Sequence, residues 1–219
     1  NQCNSQDIDQ SGSTGALIPT NALNPINLFN GNKYLREVDL YAHPEAPELE
    51  IVRHYNAMST HYSDLGGAWT LSYQSRLLFS PNVEQTPTLQ QANGTLRPLS
   101  ATTGYLERQH DRFIWHYHNG DKWHFNQAGW LIQTQRQDQP PLLITRHTAG
   151  AKQHLIASVQ QAQRRLDFDY IQVGSQQLLR QIQSAHGAVI YEYEQADDSA
   201  LQRLIQAQLP DNRYVHYHY

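Results

Sequence analysis

The chain has 219 residues, of which only 16% are charged, and a formal net charge of -4, so it carries no basic field to hold a phosphate backbone. General nucleic-acid binding is thereby excluded, and the lone Cys3 excludes an internal disulfide or a cysteine-based zinc site within one chain. The length fits one all-β domain or two small ones, and 13 Tyr and 4 Trp supply apolar bodies with polar tips that suit half-exposed strands.

Residues 1–23 are rich in Ser, Gly, Asn, Gln and Asp with almost no apolar periodicity, and read as a flexible lead-in. A start at Asn1 rather than Met implies a lost leading piece. No apolar run is long enough to span a bilayer. Asn24-Pro25 and Asn30-Gly31 bracket the short strand Ile26 to Phe29. Alternation then marks Tyr34 to Leu40, Glu50 to Tyr55 follows a Pro-containing stretch, and Trp69 to Tyr73 follows Gly66-Gly67. Short turns between such strands imply an antiparallel sheet. Pro81 to Leu99 reads as a long connection with one hairpin around Asn93-Gly94.

From Arg112 the pattern sharpens. Phe113 to His118, Asn119-Gly120, and Asp121 to Phe125 form a hairpin signal that predicts a two-residue type I′ turn, with His116 opposite Trp123 and His124 opposite Trp115. Gly129 to Ile132 and Pro141 to Thr145 extend the meander, joined by the Gln-rich link Gln133 to Gln139. Ala151 to Gln163 also fits a helical face through Leu155, Ile156 and Val159, but continuity favours strand.

The last third repeats itself. Arg165 to Tyr170 and Leu178 to Ile182 recur as Gly187 to Tyr193 and Leu201 to Ile205, and a third unit begins at Tyr214 to Tyr219. Tyr170 and Tyr193, and Ile182 and Ile205, share one spacing, so each unit is an aromatic strand, a turn and an aliphatic strand that must stack on neighbours.

These units resemble the YD repeat of the Rhs family, although Tyr191-Glu192-Tyr193-Glu194 and Asp169-Tyr170 depart from its Tyr-Asp pattern. Upstream, Asn24-Pro25-Ile26-Asn27, Gly31 to Tyr34, Arg53-His54-Tyr55-Asn56, Leu65-Gly66 and Trp69 to Tyr73 resemble the head segment that precedes such repeats. Trp123 to Asn126 with Ala128 to Leu131 is similar to a degenerate repeat. The expected organisation is a head segment at 24–110 and YD-repeat hairpins at 111–219, in an all-β antiparallel meander forming a curved open sheet. The resemblance implies a wall segment of a hollow β-shell that encloses or presents a C-terminal toxin, in a protein that is secreted or delivered by a bacterial secretion system. Partners would be further repeats of the same protein or a companion chain joined by strand pairing, together with a toxin domain or a secretion-system component. The family's DPxG-type self-cleavage signature is missing, and the end at Tyr219 falls inside a repeat strand, which suggests a truncated, processed or orphan piece with an open edge.

No catalytic group, cofactor or metal site is expected. His116, His118 and His124 leave too few ligands on one face for zinc, and His216 with His218 meets the same objection. Asp39, Glu48, Glu50 and Asp197-Asp198 read as solvated turn and edge charges rather than a glycosidase pair, and neither a nucleophile elbow nor a P-loop lysine is present. Trp69, Trp115, Trp123 and Trp130 are the candidate binding residues for the alternative function, an autonomous exported module that stacks glycans or a cell-surface protein on aromatic strand faces.

Overall fold

The computed structural model describes residues 32–59, 62–80, 86–195 and 202–219. The lead-in and the strand expected at Ile26 to Phe29 lie outside them. Among the described residues the chain is all β, apart from one 3-10 turn at Gly150–Lys152. No described helix is long and apolar enough to cross a membrane.

The first eight strands are short: β1 (Tyr34–Leu40), β2 (Ile51–Asn56), β3 (Tyr62–Ser63), β4 (Gly66–Gly67), β5 (Trp69–Leu71), β6 (Arg76–Leu78), β7 (Thr88–Gln90) and β8 (Leu96–Pro98). They form three small sheets, ordered β1-β2-β5, β3-β4 and β6-β7-β8. Together they make an N-terminal layer. Inside it, the Tyr34 hydroxyl and His54 Nδ1 share a hydrogen bond of 2.7 Å. Burial, helped by the nearby Arg36 charge, pulls the His54 imidazole down to about 4. Because the unfolded ring titrates near 6.5, His54 stabilises the fold fully above that pH and loses this contribution as pH falls towards 4. A His54→Gln variant should flatten the acid limb of stability by roughly 2–3 kcal/mol, measured by urea unfolding between pH 7 and 4.

The remaining strands form one open sheet in strict chain order: β9 (Gly104–Arg108), β10 (Arg112–Tyr117), β11 (Lys122–Asn126), β12 (Leu131–Gln135), β13 (Leu142–Arg146), β14 (Ile156–Gln161), β15 (Arg164–Val173), β16 (Gln176–Ser184), β17 (Gly187–Gln195), β18 (Gln202–Gln208) and β19 (Tyr214–His216). Every neighbour is antiparallel, and the eleven strands do not close into a barrel. β9 already belongs to this sheet, so the layer boundary falls before residue 104 rather than at 110. Ile156 to Gln161 is strand, as continuity predicts, and β12 extends through Gln135 into the stretch expected to be a link.

The hairpin at Asn119-Gly120 differs from the expected one. A type I′ turn needs positive φ at both central residues, but Gly120 alone has it, at φ 90. Tyr117 N–H bonds the Asp121 carbonyl, making a three-residue loop that moves the register by one. Trp115 therefore pairs with Trp123, His116 with Lys122, and His124 with Ile114. Both indoles face the core and the two histidines face away from it.

Four hairpins in this sheet share a defect that the sequence periodicity hides. In β11-β12, β13-β14, β15-β16 and β17-β18 the register slips once, and each time one extra residue sits in the second strand: Ile132, Ala157, Arg180 and Ile205. Such a bulge sets two residues against one, so side chains three apart land on the same face. The buried pairs follow this rule: Leu131 and Thr134, Ile156 and Val159, Leu179 and Ile182, Leu204 and Ala207. The true counterpart of Ile182 is accordingly Ala207; Ile205 is the extra residue. Tyr170 and Tyr193 remain equivalent, each beside its bulge.

A single core lies between the two layers. It joins Leu49, Ile51, Leu65, Trp69, Leu71 and Leu77 of the N-terminal layer to the inward residues of the large sheet, including Trp115, Phe125, Val159 and Tyr191. The sheet's other face carries exposed Arg165, Asp167, Asp169, Arg180, Gln183 and Glu192. One face is thus covered and the other is wet, the arrangement antiparallel sheets commonly adopt.

Candidate functional site

The most elaborate chemistry in the molecule lies along the seam between the layers. Asp39 is the extra residue of a bulge in β1, between the pairs Val38–Val52 and Leu40–Ile51, and this turns its carboxylate inward. There it accepts two hydrogen bonds from the Arg53 guanidinium of β2, one of them Nη2 to Oδ1 at 2.8 Å. Tyr191 of β17 donates its hydroxyl to the same carboxylate at 2.7 Å, and Arg53 Nη2 reaches the Tyr217 hydroxyl at 2.8 Å. Arg53 is fully buried, with its guanidinium carbon 4.8 Å from the Trp69 ring centroid, 5.4 Å from Tyr191 and 5.3 Å from Tyr217. Burial alone would lower its proton affinity, but the Asp39 hydrogen bonds and charge raise it well above the ordinary value. Burial and the Asp39 charge likewise hold the Tyr191 phenol neutral, by pushing it far up.

A second fastening surrounds Asp64, which is buried after β3. Gln74 Nε2 donates to Oδ1, the Tyr170 hydroxyl donates to Oδ2 at 3.3 Å, and the Asp64 carbonyl accepts Leu179 N–H at 2.6 Å. Burial raises this carboxyl above its usual range, against the pull of those donors and of Arg146. Arg146 spans the seam in the opposite direction: Nη2 donates to the Tyr73 carbonyl at 2.6 Å and Nη1 to the His154 carbonyl at 2.8 Å. Burial holds its guanidinium down to about 10.

The third fastening is Glu48. Its carboxylate accepts from Thr134 Oγ1 and Arg136 Nε, both at 3.0 Å, while its backbone N–H donates to Gln161 Oε1 at 2.9 Å. Close by, Leu77 N–H donates to the Gly129 carbonyl at 2.8 Å and Leu131 N–H to the Ser75 carbonyl at 3.1 Å. Asp39 and Glu48 are therefore not solvated edge charges. Each is drawn into the seam by a partner far away in sequence, a pairing that local charge patterning does not signal.

The four tryptophans are distributed along this same seam. Trp69 is completely buried and donates Nε1–H to the Tyr219 hydroxyl at 2.9 Å; Trp115 is 2% exposed. Neither has a ring face to offer a sugar. Trp123 is half-buried against Tyr117 and Phe125. Trp130 is clasped between Arg76 and Arg146, whose guanidinium carbons lie 4.7 and 5.0 Å from its ring centroid. The histidines are scattered too: His116 Nε2 pairs with Glu107 Oε2 at 2.7 Å while its ring stacks on Tyr105, and His118 bonds the Ala101 carbonyl. Among the described residues no group of three or more potential metal ligands converges. The arrangement can do one thing well, which is to lock two layers together through charge-assisted hydrogen bonds shielded from water.

Comparison with known families delimits the first of those layers. Residues 23–98 match a family described as "Domain of unknown function (DUF6531)". The match ends on the last residue of β8, and the next strand opens the large sheet. The DUF6531-like segment therefore supplies Asp39, Arg53, Asp64 and Glu48, and everything these residues grip in the large sheet lies beyond the match. No curated protein matches the chain.

Proposed function

We propose that this chain is a non-catalytic structural segment of an Rhs/YD-repeat toxin-delivery protein, a stretch of shell wall with its head layer fastened across the first repeats. The carrying observation is the fourfold bulged hairpin with one inward pattern, because a unit of that kind buries its apolar face only by lying beside another. The polar outer face and the covered inner face support a wall rather than a pocket. On this reading the partners are further repeats or a companion chain joined edge to edge, with a toxin domain or a secretion-system component beyond them. The protein is exported or injected.

Electron microscopy of the protein encoded by the complete natural gene tests this. A hollow particle, with this chain's two layers placed in its wall, is the expected image. A solid particle, or hydrolytic turnover by the purified protein, overturns the proposal. A glycan-array signal that disappears in Trp123→Ala or Trp130→Ala, with unchanged melting temperature, would instead establish the exported binding module.

A further inference from the structure

Three of the four bulges share a second feature. At each one the residue just before the extra residue presents its backbone to a side chain of the following hairpin. Leu131 O accepts from Arg146 Nε at 3.0 Å, Leu179 O from the Tyr193 hydroxyl at 2.5 Å, and Leu204 O from the Tyr219 hydroxyl at 2.7 Å. At the second bulge the phenol in the same position, Tyr170, gives its proton instead to Asp64 Oδ2 of the head layer at 3.3 Å. These three donors and Tyr170 occupy one structural position. Each is the fifth residue of an inward-facing run: Leu142-x-Ile144-x-Arg146, Leu166-x-Phe168-x-Tyr170, Val189-x-Tyr191-x-Tyr193 and Val215-x-Tyr217-x-Tyr219.

We propose that the backbone socket at these three bulges is a recognition site for the next strand, and that the partner it fits is an antiparallel strand of the form aliphatic-x-aromatic or aliphatic-x-Tyr or Arg. A bulge interrupts the ladder and leaves a carbonyl without its regular partner. Buried in this way, the carbonyl costs free energy unless a donor arrives. A phenol and a guanidinium both reach it, which explains how a charged residue can stand at a tyrosine position in the second hairpin. Aliphatic or phenylalanine side chains there would fill the space without satisfying the carbonyl, so the socket selects among strands that otherwise have the same apolar pattern. It also favours one register, because a strand slipped by one residue points its fifth side chain to the opposite face. The head layer reads two of the same bulges from the other side, through Ser75 O to Leu131 N–H and Asp64 O to Leu179 N–H. The inference concerns how hairpins choose one another and goes beyond the shell reading: it holds for an isolated module equally well.

The test uses the full chain with ¹³C-labelled leucine carbonyls. Tyr193→Phe should move the Leu179 carbonyl resonance and leave Leu204 in place, and Tyr219→Phe should do the reverse; each should lower the melting temperature by roughly 3–6 °C, as for a buried acceptor left unpaired. Arg146→Tyr should keep the Leu131 resonance nearer its native position than Arg146→Leu does. Tyr191→Phe, which removes a hydroxyl from the Asp39 fastening, is the control and should leave all three carbonyls unchanged. Carbonyls that stay fixed in Tyr193→Phe and Tyr219→Phe, or that shift equally in Tyr191→Phe, overturn the proposal. A solid particle by electron microscopy would sink the shell reading without touching these resonances.

Discussion

Arg53→Met should lower the melting temperature by about 10 °C or more, one of the two largest single-residue effects expected in this chain. Removing one member of a buried ion pair strands the other, and this typically costs about 3–5 kcal/mol. At roughly 2–4 °C per kcal/mol for a chain of this size, a shift centred near 10 °C follows. Asp39 would retain only the Tyr191 hydroxyl, and Tyr217 would lose the donor that ties β19 to the N-terminal layer. The loss should be local as well as global: amide exchange should rise first at residues 215–217. The double variant Asp39→Leu with Arg53→Met should recover much of the stability, since an apolar pair avoids the stranded charge. Thermal unfolding and hydrogen exchange on the three proteins check this. A drop under 2 °C for Arg53→Met would mean that the fastening is bystander chemistry and that the aromatic packing around it carries the seam.

This seam also marks the boundary of what sequence patterning can reveal. Alternation located β1, β2, β5 and most strands from β10 onward, because one face of each is covered and the other wet, and a two-residue period follows directly from that; it missed the two- and three-residue strands β3, β4 and β6 and the edge strand β9. The bulges escaped because they break the period locally. Leu179 and Ile182, three apart in a strand, look out of phase until the extra Arg180 is counted. The same blindness produced the false equivalence of Ile182 with Ile205, since sequence similarity cannot tell the extra residue from an inward one. At Asn119-Gly120 the dipeptide suits two turn types, and only the backbone at Asn119 separates them. The seam residues escaped for a different reason. Asp39 lies 14 positions from Arg53 and 152 from Tyr191, so nothing local announces that a carboxylate in an edge strand is buried. Val38-Asp39-Leu40 even continues the alternation, so the pattern places Asp39 outward and only the bulge in β1 turns it in.

Gly66→Ala should cost at least 3 kcal/mol, the combined scale of left-handed strain and overpacking against a rigid neighbour. Gly66 has φ 84, a conformation that penalises any Cβ, and a Cβ built there would come within 2.5 Å of the Gln202 carbonyl oxygen of β18. That neighbour is backbone in a paired strand and cannot swing aside, so the two layers must separate at this point. Gly94 is the natural control: it has φ 85 in the β7-β8 turn, and nothing lies within 4 Å of its added Cβ. Gly94→Ala should therefore show only the conformational part, roughly 1–2 kcal/mol. The difference between the two variants isolates the close approach of the head layer to the last hairpin. If that approach is what holds the seam shut, limited proteolysis should cut Gly66→Ala around β18 and β19 while Gly94→Ala stays as resistant as the parent. Equal melting temperatures for the two variants would show that the layers yield at β4 without cost and that the polar fastenings alone keep them together.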